Sequence, residues 1–145
     1  MKQPGALIVL FAFVAAVSFT LASEQEGGKK LNATLTGATE VPGPGDADGT
    51  GTFTATFNPG QNQVCYELRV SNIGAANAAH IHSGGPTEAG PVLLNLTAPA
   101  KGSSKECATL DREKILEIIK TPENYYVNVH NADFPDGAVR GQLIK

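Results

Sequence analysis

The chain has 145 residues, with 11 Lys and Arg against 14 Asp and Glu, two Cys and no Trp, and its length is that of a single domain. A formal net charge of -3 without any cluster of basic residues excludes the electrostatic surface that a nucleic-acid-binding protein needs. Aromatic residues make up only 6% of the chain, which excludes a stacking platform for single-stranded nucleic acid as well.

Residues 1–22 have the pattern of a secretory signal peptide. Lys2 supplies a positive start, residues 6–17 are an unbroken apolar run, and the small residues Ala22 and Ser23 precede a polar segment. We therefore expect an extracytoplasmic location, secreted or periplasmic, with cleavage after Ala22 or Ser23. The alternative is an uncleaved membrane anchor, because residues 6–22 are nearly long enough to span a bilayer.

A polar linker over residues 23–30 is followed by a domain over residues 31–145 in which apolar residues recur at every second position. This alternation is typical of β-strands with one buried face. The predicted strands are alternating runs or shorter apolar segments, separated by turn clusters rich in Gly, Pro and Asp. They lie at residues 31–35, 53–57, 64–70, 79–82, 92–96, around Cys107, 125–130 and 138–144. The pattern predicts an all-β domain of about eight short strands, arranged as a two-sheet antiparallel sandwich or a flattened barrel.

The acidic residues around the glycine-rich segment after residue 36 do not form a recognisable metal-binding loop. Glu40, Asp46 and Asp48 are close in sequence, but their spacing matches no calcium-binding motif. We expect a solvated turn at these positions.

Cys65 and Cys107 are the two cysteines of the chain. In an exported protein an even count of two predicts one disulfide, and two buried free thiols are the alternative. For a separation of 42 residues the chain-entropy model gives about 4 kcal/mol of stabilisation.

Two asparagines begin glycosylation sequons. Asn32 precedes Ala33 and Thr34, and Asn95 is likewise followed by a threonine two positions later. Glycosylation at these positions is expected only if the source is eukaryotic.

The segment from Asp111 to Lys120 breaks the alternating pattern. Its four apolar residues follow helical spacing and are Ile115, Leu116, Ile118 and Ile119. Asp111 or Thr109 is a suitable N-terminal cap, and Pro122 ends the helix because the residue before a proline avoids helical backbone angles. We expect one short helix that covers an end of the β-domain.

The three histidines of the chain form the main candidate site. His80 and His82 are two residues apart, so on a strand both point to one face while Ile81 points to the other. His130 ends the polar face of another alternating run, so the three imidazoles converge if the two strands are close. Three imidazoles suit Cu, Zn, Fe or Ni. The alternative is a structural role, in which the histidines bond the backbone of nearby loops.

Three segments of the chain resemble the CHRD (chordin-type) domain. They are Ala-His-Ile-His-Ser-Gly at 79–84, Ala-Gly-Pro-Val-Leu-Leu-Asn-Leu at 89–96, and the stretch from Tyr125 to Leu143 that contains His130 and Arg140. The resemblance covers roughly residues 31–144. CHRD domains occur in bacterial exported proteins and in an animal extracellular antagonist of growth factors. The resemblance therefore implies an exported binding module, with an unidentified extracellular protein or a metal ion as its partner.

The same segments are more distantly similar to the copper/zinc superoxide dismutases, which are Greek-key β-sandwiches with copper held on the outside of the barrel. The likeness implies a dismutase-like Greek-key sandwich. It also implies that His80, His82 and His130 are copper ligands and that Arg140 guides an anionic substrate.

The chain departs from the dismutases at the zinc site. In the dismutases Ala-Gly-Pro is followed by a histidine that bridges copper and zinc, whereas here residues 89–91 are followed by Val92. A fourth histidine does not exist in the chain, so a zinc-linked imidazolate is excluded. We expect a binding module with one copper ion rather than an enzyme. The alternatives are a copper-only redox enzyme of the dismutase type and a purely structural or adhesive module.

Overall fold

A computed structural model describes residues 28–145 of the chain. The predicted signal peptide over residues 1–22, and the linker up to residue 27, lie outside the described residues. The described part contains eight strands and one α-helix: β1 Lys29–Thr36, β2 Thr50–Asn58, β3 Gln63–Ser71, β4 Ala76–Ser83, β5 Val92–Leu96, β6 Ser103–Thr109, α1 Arg112–Lys120, β7 Tyr125–Asn131 and β8 Val139–Gln142. β1 includes two residues, Lys29 and Lys30, that we expected in the linker.

All eight strands belong to one antiparallel sheet, in the order β5-β4-β7-β8-β1-β2-β3-β6. The sheet curls until its two edge strands, β5 and β6, approach each other. At this seam the backbone N–H of Thr97 donates to the Tyr66 hydroxyl at 2.8 Å, and the Ser104 hydroxyl donates to the Thr97 carbonyl at 2.8 Å. The predicted all-β antiparallel fold is confirmed. The division into two sheets of a Greek-key sandwich is not confirmed, because the strands form one nearly closed sheet.

The alternating residues of β1, β2 and β3 fill the inside of the curled sheet. Their buried side chains are Leu31, Ala33, Leu35, Phe53, Ala55, Phe57, Val64, Tyr66, Leu68 and Val70. Burial of each larger apolar side chain stabilises the fold by roughly 1.5–3 kcal/mol. A one-residue slip of any of these strands would turn its apolar side chains to solvent, so the pattern fixes the register.

The helix α1 covers one end of the curled sheet, where it packs against β2 and the turn at Pro59–Gln61. It begins one residue after Asp111 and ends before Thr121 and Pro122, so the predicted helix is confirmed to within a residue. Ile115 and Ile118 are fully buried. Within the described residues, no helix has both the length and the apolar character needed to cross a membrane.

The strand β7 differs from β1, β2 and β3 because both of its faces are buried. Val127 and Val129 point into the core, while Tyr126 and Asn128 on the outer face are each only 3% exposed. Two loops cover this outer face. Glu40, in the loop between β1 and β2, bonds Asn128, and Gly90, in the loop between β4 and β5, bonds Tyr126.

The predicted disulfide between Cys65 and Cys107 is confirmed. The two cysteines are direct partners on the antiparallel strands β3 and β6, so the disulfide fastens an edge strand to the sheet. Cys107 is exposed on the outer face.

The sequon asparagines lie on exposed strand positions, Asn32 on β1 and Asn95 on β5. Both side chains point away from the core, which an attached glycan requires. Glycosylation at these positions stays a prediction.

Candidate metal centre

The three histidines meet on the outer face of β4 and β7. In the β4–β7 pair His80 lies opposite Asn128, and His130 lies opposite Ala78, two residues before His80. Ile81 points into the core and is fully buried. One ring nitrogen from each histidine lies within 4.8 Å of the other two. The predicted convergence of the imidazoles is therefore confirmed, while metal binding by His80, His82 and His130 stays a prediction.

The distances come close to those of a three-nitrogen metal site. A nitrogen ligand lies about 2.0–2.1 Å from Zn²⁺, so two nitrogens on one ion are at most about 4.2 Å apart. Nδ1 of His80 and Nε2 of His130 are 3.2 Å apart and already satisfy this limit. The longest separation in the cluster, 4.8 Å, exceeds this limit, so binding of one ion by all three nitrogens requires the rings to move inward.

Backbone carbonyls orient two of the three rings. Nδ1 of His82 is 2.9 Å from the Gly90 carbonyl oxygen, and Nδ1 of His130 is 3.0 Å from the Pro135 carbonyl oxygen. Because a carbonyl only accepts, both Nδ1 atoms carry the proton and both Nε2 atoms keep the lone pair that a metal needs. The alternative structural role, bonding to loop backbone, is therefore seen at His82 and His130, and it leaves one nitrogen of each ring free to bind a metal.

Nε2 of His82 is buried and has no hydrogen-bond partner among residues 28–145. Leaving a buried polar atom unpaired costs about 1–3 kcal/mol, so such an atom calls for an explanation. A metal ion between the three rings would supply the missing partner.

The environment of the cluster keeps the imidazoles neutral. Burial is the largest effect on all three rings and lowers the pKa of each below its ordinary value. His130 and His82 lower the pKa of His80 further, whereas the bond to Gly90 partly opposes the shift at His82. The Pro135 carbonyl and Asp136 oppose the shift at His130. Neutral imidazole is the form that binds metals.

Since Nε2 of His130 carries a lone pair, the proton in its 3.2 Å contact belongs to Nδ1 of His80 in the metal-free protein. For Nδ1 of His80 to hold a metal ion, that proton would have to move to Nε2 of the same ring.

Arg140, on β8, lies on the same covered face and is only 1% exposed. Its guanidinium donates to the carbonyl oxygens of Glu88 at 2.9 Å and Gly85 at 2.7 Å. The guanidinium carbon also lies 3.4 Å from the centre of the Tyr126 ring. The guidance of an anionic substrate by Arg140 stays a prediction, and the structure places the group beneath a loop rather than at the surface.

The expectation of a solvated turn at Glu40 is wrong, because Glu40 is only 5% exposed. Nδ2 of Asn128 donates to both carboxylate oxygens of Glu40, at 2.7 and 2.8 Å. Gly45 and Gly137 leave the space for it, since a Cβ on either glycine would overlap the Glu40 side chain. Burial raises the pKa of Glu40 to about 7, although the Asn128 bond and the charge of Arg140 oppose this shift.

The sequence interpretation missed Glu40, Tyr126 and Asn128 as parts of this face. Tyr126 and Asn128 alternate with inward valines, so the pattern indicates only that they point outward. The glycine that completes the Glu40 cavity, Gly137, lies far along the chain, and local sequence carries no sign of it.

An open groove of about 760 Å³ lies on another part of the outer face, over β1, β2, β3 and β6. Lys30, Thr56, Glu67, Lys105 and the disulfide line it, together with neighbouring residues. None of the three histidines borders this groove, so it is separate from the candidate metal centre.

A family model of the CHRD domain matches residues 31–143. No curated protein and no solved structure matches the chain significantly. The matched range takes in nearly all of the described residues, including the three histidines and Arg140. The chain therefore belongs to the CHRD domain family.

Proposed function

We propose that this chain is an exported CHRD-domain binding module that holds one copper ion between His80, His82 and His130. CHRD domains are extracellular, and the Cys65–Cys107 disulfide fits an oxidising compartment. The apolar run in the first 22 residues supports export.

The observation that carries the metal proposal is the unpartnered Nε2 atom of His82. This atom is buried and its ring is held by the Gly90 carbonyl. One ring nitrogen from each of the three histidines lies within 4.8 Å of the other two. A purely structural role gives this nitrogen no partner, whereas a bound metal ion would.

Copper is the metal that this ligand set favours. Imidazole suits Zn, Cu, Fe and Ni, and the general affinity order of divalent first-row metals places Cu²⁺ at its maximum. Three protein nitrogens also leave coordination positions open for water or for a ligand atom from a partner.

A binding role is favoured over catalysis of superoxide turnover. The dismutase likeness assigns substrate guidance to Arg140, but this guanidinium is buried and bonded to two backbone carbonyls. Val92 also stands where the dismutases place the histidine that bridges copper and zinc.

The test is thermal unfolding of the metal-free protein with and without Cu(II) or Zn(II). With free metal at 100 times its dissociation constant we expect a rise in Tm of roughly 10 °C. His82→Ala should abolish the rise in Tm. Glu106→Ala is the control: it removes an exposed carboxylate, a group that can bind metals, from β6 and should leave the rise unchanged.

The proposal is wrong if Tm does not respond to metal, or if the His82→Ala variant responds as the wild type does. A larger response to Zn(II) than to Cu(II) would overturn the choice of copper. Superoxide turnover by the copper-loaded protein above that of free copper would establish the enzyme alternative.

A further inference from the structure

On the basis of the metal site proposed above, we propose that Arg140 is a positioning residue for His82, acting through Tyr126 and the loop of residues 84–91. The resemblance to the dismutases implies that Arg140 guides an anion, but its guanidinium contacts the Tyr126 ring and two carbonyl oxygens of the loop.

A stack of three planar groups connects Arg140 to His82. The Tyr126 ring is parallel to the His82 ring, with the planes 6° apart and the centroids separated by 4.8 Å. The Arg140 guanidinium carbon is 3.4 Å from the centre of the Tyr126 ring. Because β7 lies between β4 and β8, His82 packs on one side of the Tyr126 ring and Arg140 packs on the other. Packing on both sides fixes the Tyr126 ring, and the His82 ring stacked on it is thereby limited in its rotation.

The guanidinium also clamps the loop that bonds His82. It donates to the carbonyl oxygens of Gly85 and Glu88, near the start and middle of the 84–91 loop. Gln142, the next outward residue of β8, donates to the Gly84 carbonyl at 3.0 Å. β8 therefore holds this loop through side chains at two positions.

The far end of the same loop delivers the acceptor for His82. The Gly90 carbonyl accepts from Nδ1 of His82 at 2.9 Å, and the Gly90 N–H donates to the Tyr126 hydroxyl at 3.0 Å. Gly90 packs so closely that a Cβ there would overlap the Ser83 carbonyl oxygen. A displacement of the loop would therefore remove the bond that sets which nitrogen of His82 faces the metal.

A role of Arg140 in positioning His82 and a role in guiding an anion by its charge predict opposite results for Arg140→Lys. Lysine keeps the positive charge but lacks the planar fork that bonds two carbonyls and lies flat on a ring. A guidance role survives this substitution, whereas a positioning role does not.

The experiment compares Arg140→Lys with Arg69→Lys, the same substitution at an exposed arginine on β3. In the metal-free protein, NMR of the imidazole nitrogens should show that Arg140→Lys loses the protected Nδ1–H of His82. Cu(II) affinity, measured by competition with a chelator, should fall 10–100-fold, the usual effect of removing a group that orients a metal ligand. Arg69→Lys should match the wild type in both measurements.

Tyr126→Phe is the second variant, and it decides the question if Arg140→Lys does not fold. It keeps the ring stack but removes the hydroxyl that accepts from Gly90. We expect a Cu(II) affinity about 10-fold below wild type, at the low end of the effect of such orienting groups.

Retention of the His82 Nδ1–H and of full Cu(II) affinity in Arg140→Lys would overturn the positioning role, as would an unchanged Tyr126→Phe variant. If the wild type does not bind Cu(II), the proposed function fails. The metal-free NMR comparison would still show whether Arg140 holds the His82 ring.

Discussion

Asn128 donates from one amide nitrogen to both carboxylate oxygens of Glu40, at 2.7 and 2.8 Å, on a face where both side chains are almost fully buried. The contact joins the loop between β1 and β2 to the middle of β7. It places an ionisable carboxyl group under a loop, where desolvation disfavours the charged form.

The stability of the protein should fall as Glu40 ionises. Burial raises the folded-state pKa of Glu40 to about 7 from the ordinary 4.5. The stabilisation that its protonated carboxyl group contributes is therefore fully present below pH 4.5 and is lost as the pH rises through 7. For Glu40→Gln, which cannot ionise, the free energy of unfolding relative to wild type should increase by up to about 3 kcal/mol over this window. Urea unfolding of both proteins at several pH values measures the difference.

Glu106→Gln is the matched control, because Glu106 is exposed on the edge strand β6. This variant removes one exposed carboxyl group and leaves the contact between Glu40 and Asn128 intact. A stability difference between Glu40→Gln and wild type that does not change from pH 4.5 to 8 would show that Glu40 is not held in the environment described.

Reduction of the disulfide should destabilise the domain without dismantling the histidine cluster. The loop closed by Cys65 and Cys107 spans 42 residues, for which the chain-entropy model gives about 4 kcal/mol. The disulfide fastens β6, whereas the histidines lie on β4 and β7.

A reductant should therefore strongly lower the free energy of unfolding of the wild type. It should leave that of the Cys65→Ser, Cys107→Ser double variant unchanged. If the wild type is equally stable in its oxidised and reduced forms, the disulfide does not have the assigned role.

The two faces of α1 should differ sharply in their sensitivity to truncation. Ile118→Ala removes a fully buried side chain and should cost roughly 2–5 kcal/mol of the free energy of unfolding. Leu116→Ala, on the same helix but 39% exposed, should cost about 1 kcal/mol or less. Chemical denaturation measures both, and equal losses would contradict the packing of the helix on the end of the sheet.

Export should remove the first 22 or 23 residues. When the full chain is expressed in a secreting host, mass spectrometry of the exported protein should find a new N-terminus at Ser23 or Glu24. Recovery of the intact chain from the membrane fraction would favour the uncleaved anchor instead.

The strands and the helix follow from the sequence because their apolar residues obey simple periods. Phe53 and Phe57 are buried as the two-residue alternation requires, and Ile115 and Ile118 are buried as helical spacing requires. The order of strands does not follow from these periods. The pairing of β1 with β8, which closes the middle of the sheet, joins Thr36 to Arg140 across most of the domain.

The sequence predicts the three histidines of the candidate site but not their surroundings. The spacing of His80 and His82 places them on one face, and the position of His130 follows once β4 pairs with β7. The burial of Arg140 and Glu40 depends on loops, whose paths are set by close contacts at Gly45, Gly90 and Gly137. Periodicity does not describe such contacts, because they depend on tertiary packing.

Electron paramagnetic resonance of the protein with one equivalent of Cu(II) tests the central claim most directly. The three histidines of the chain all belong to the cluster, so every imidazole signal reports on it. We predict one bound copper per chain with three coordinating nitrogens, and loss of that spectrum in His82→Ala. A copper spectrum without nitrogen coupling, or one that His82→Ala leaves unchanged, would contradict the account.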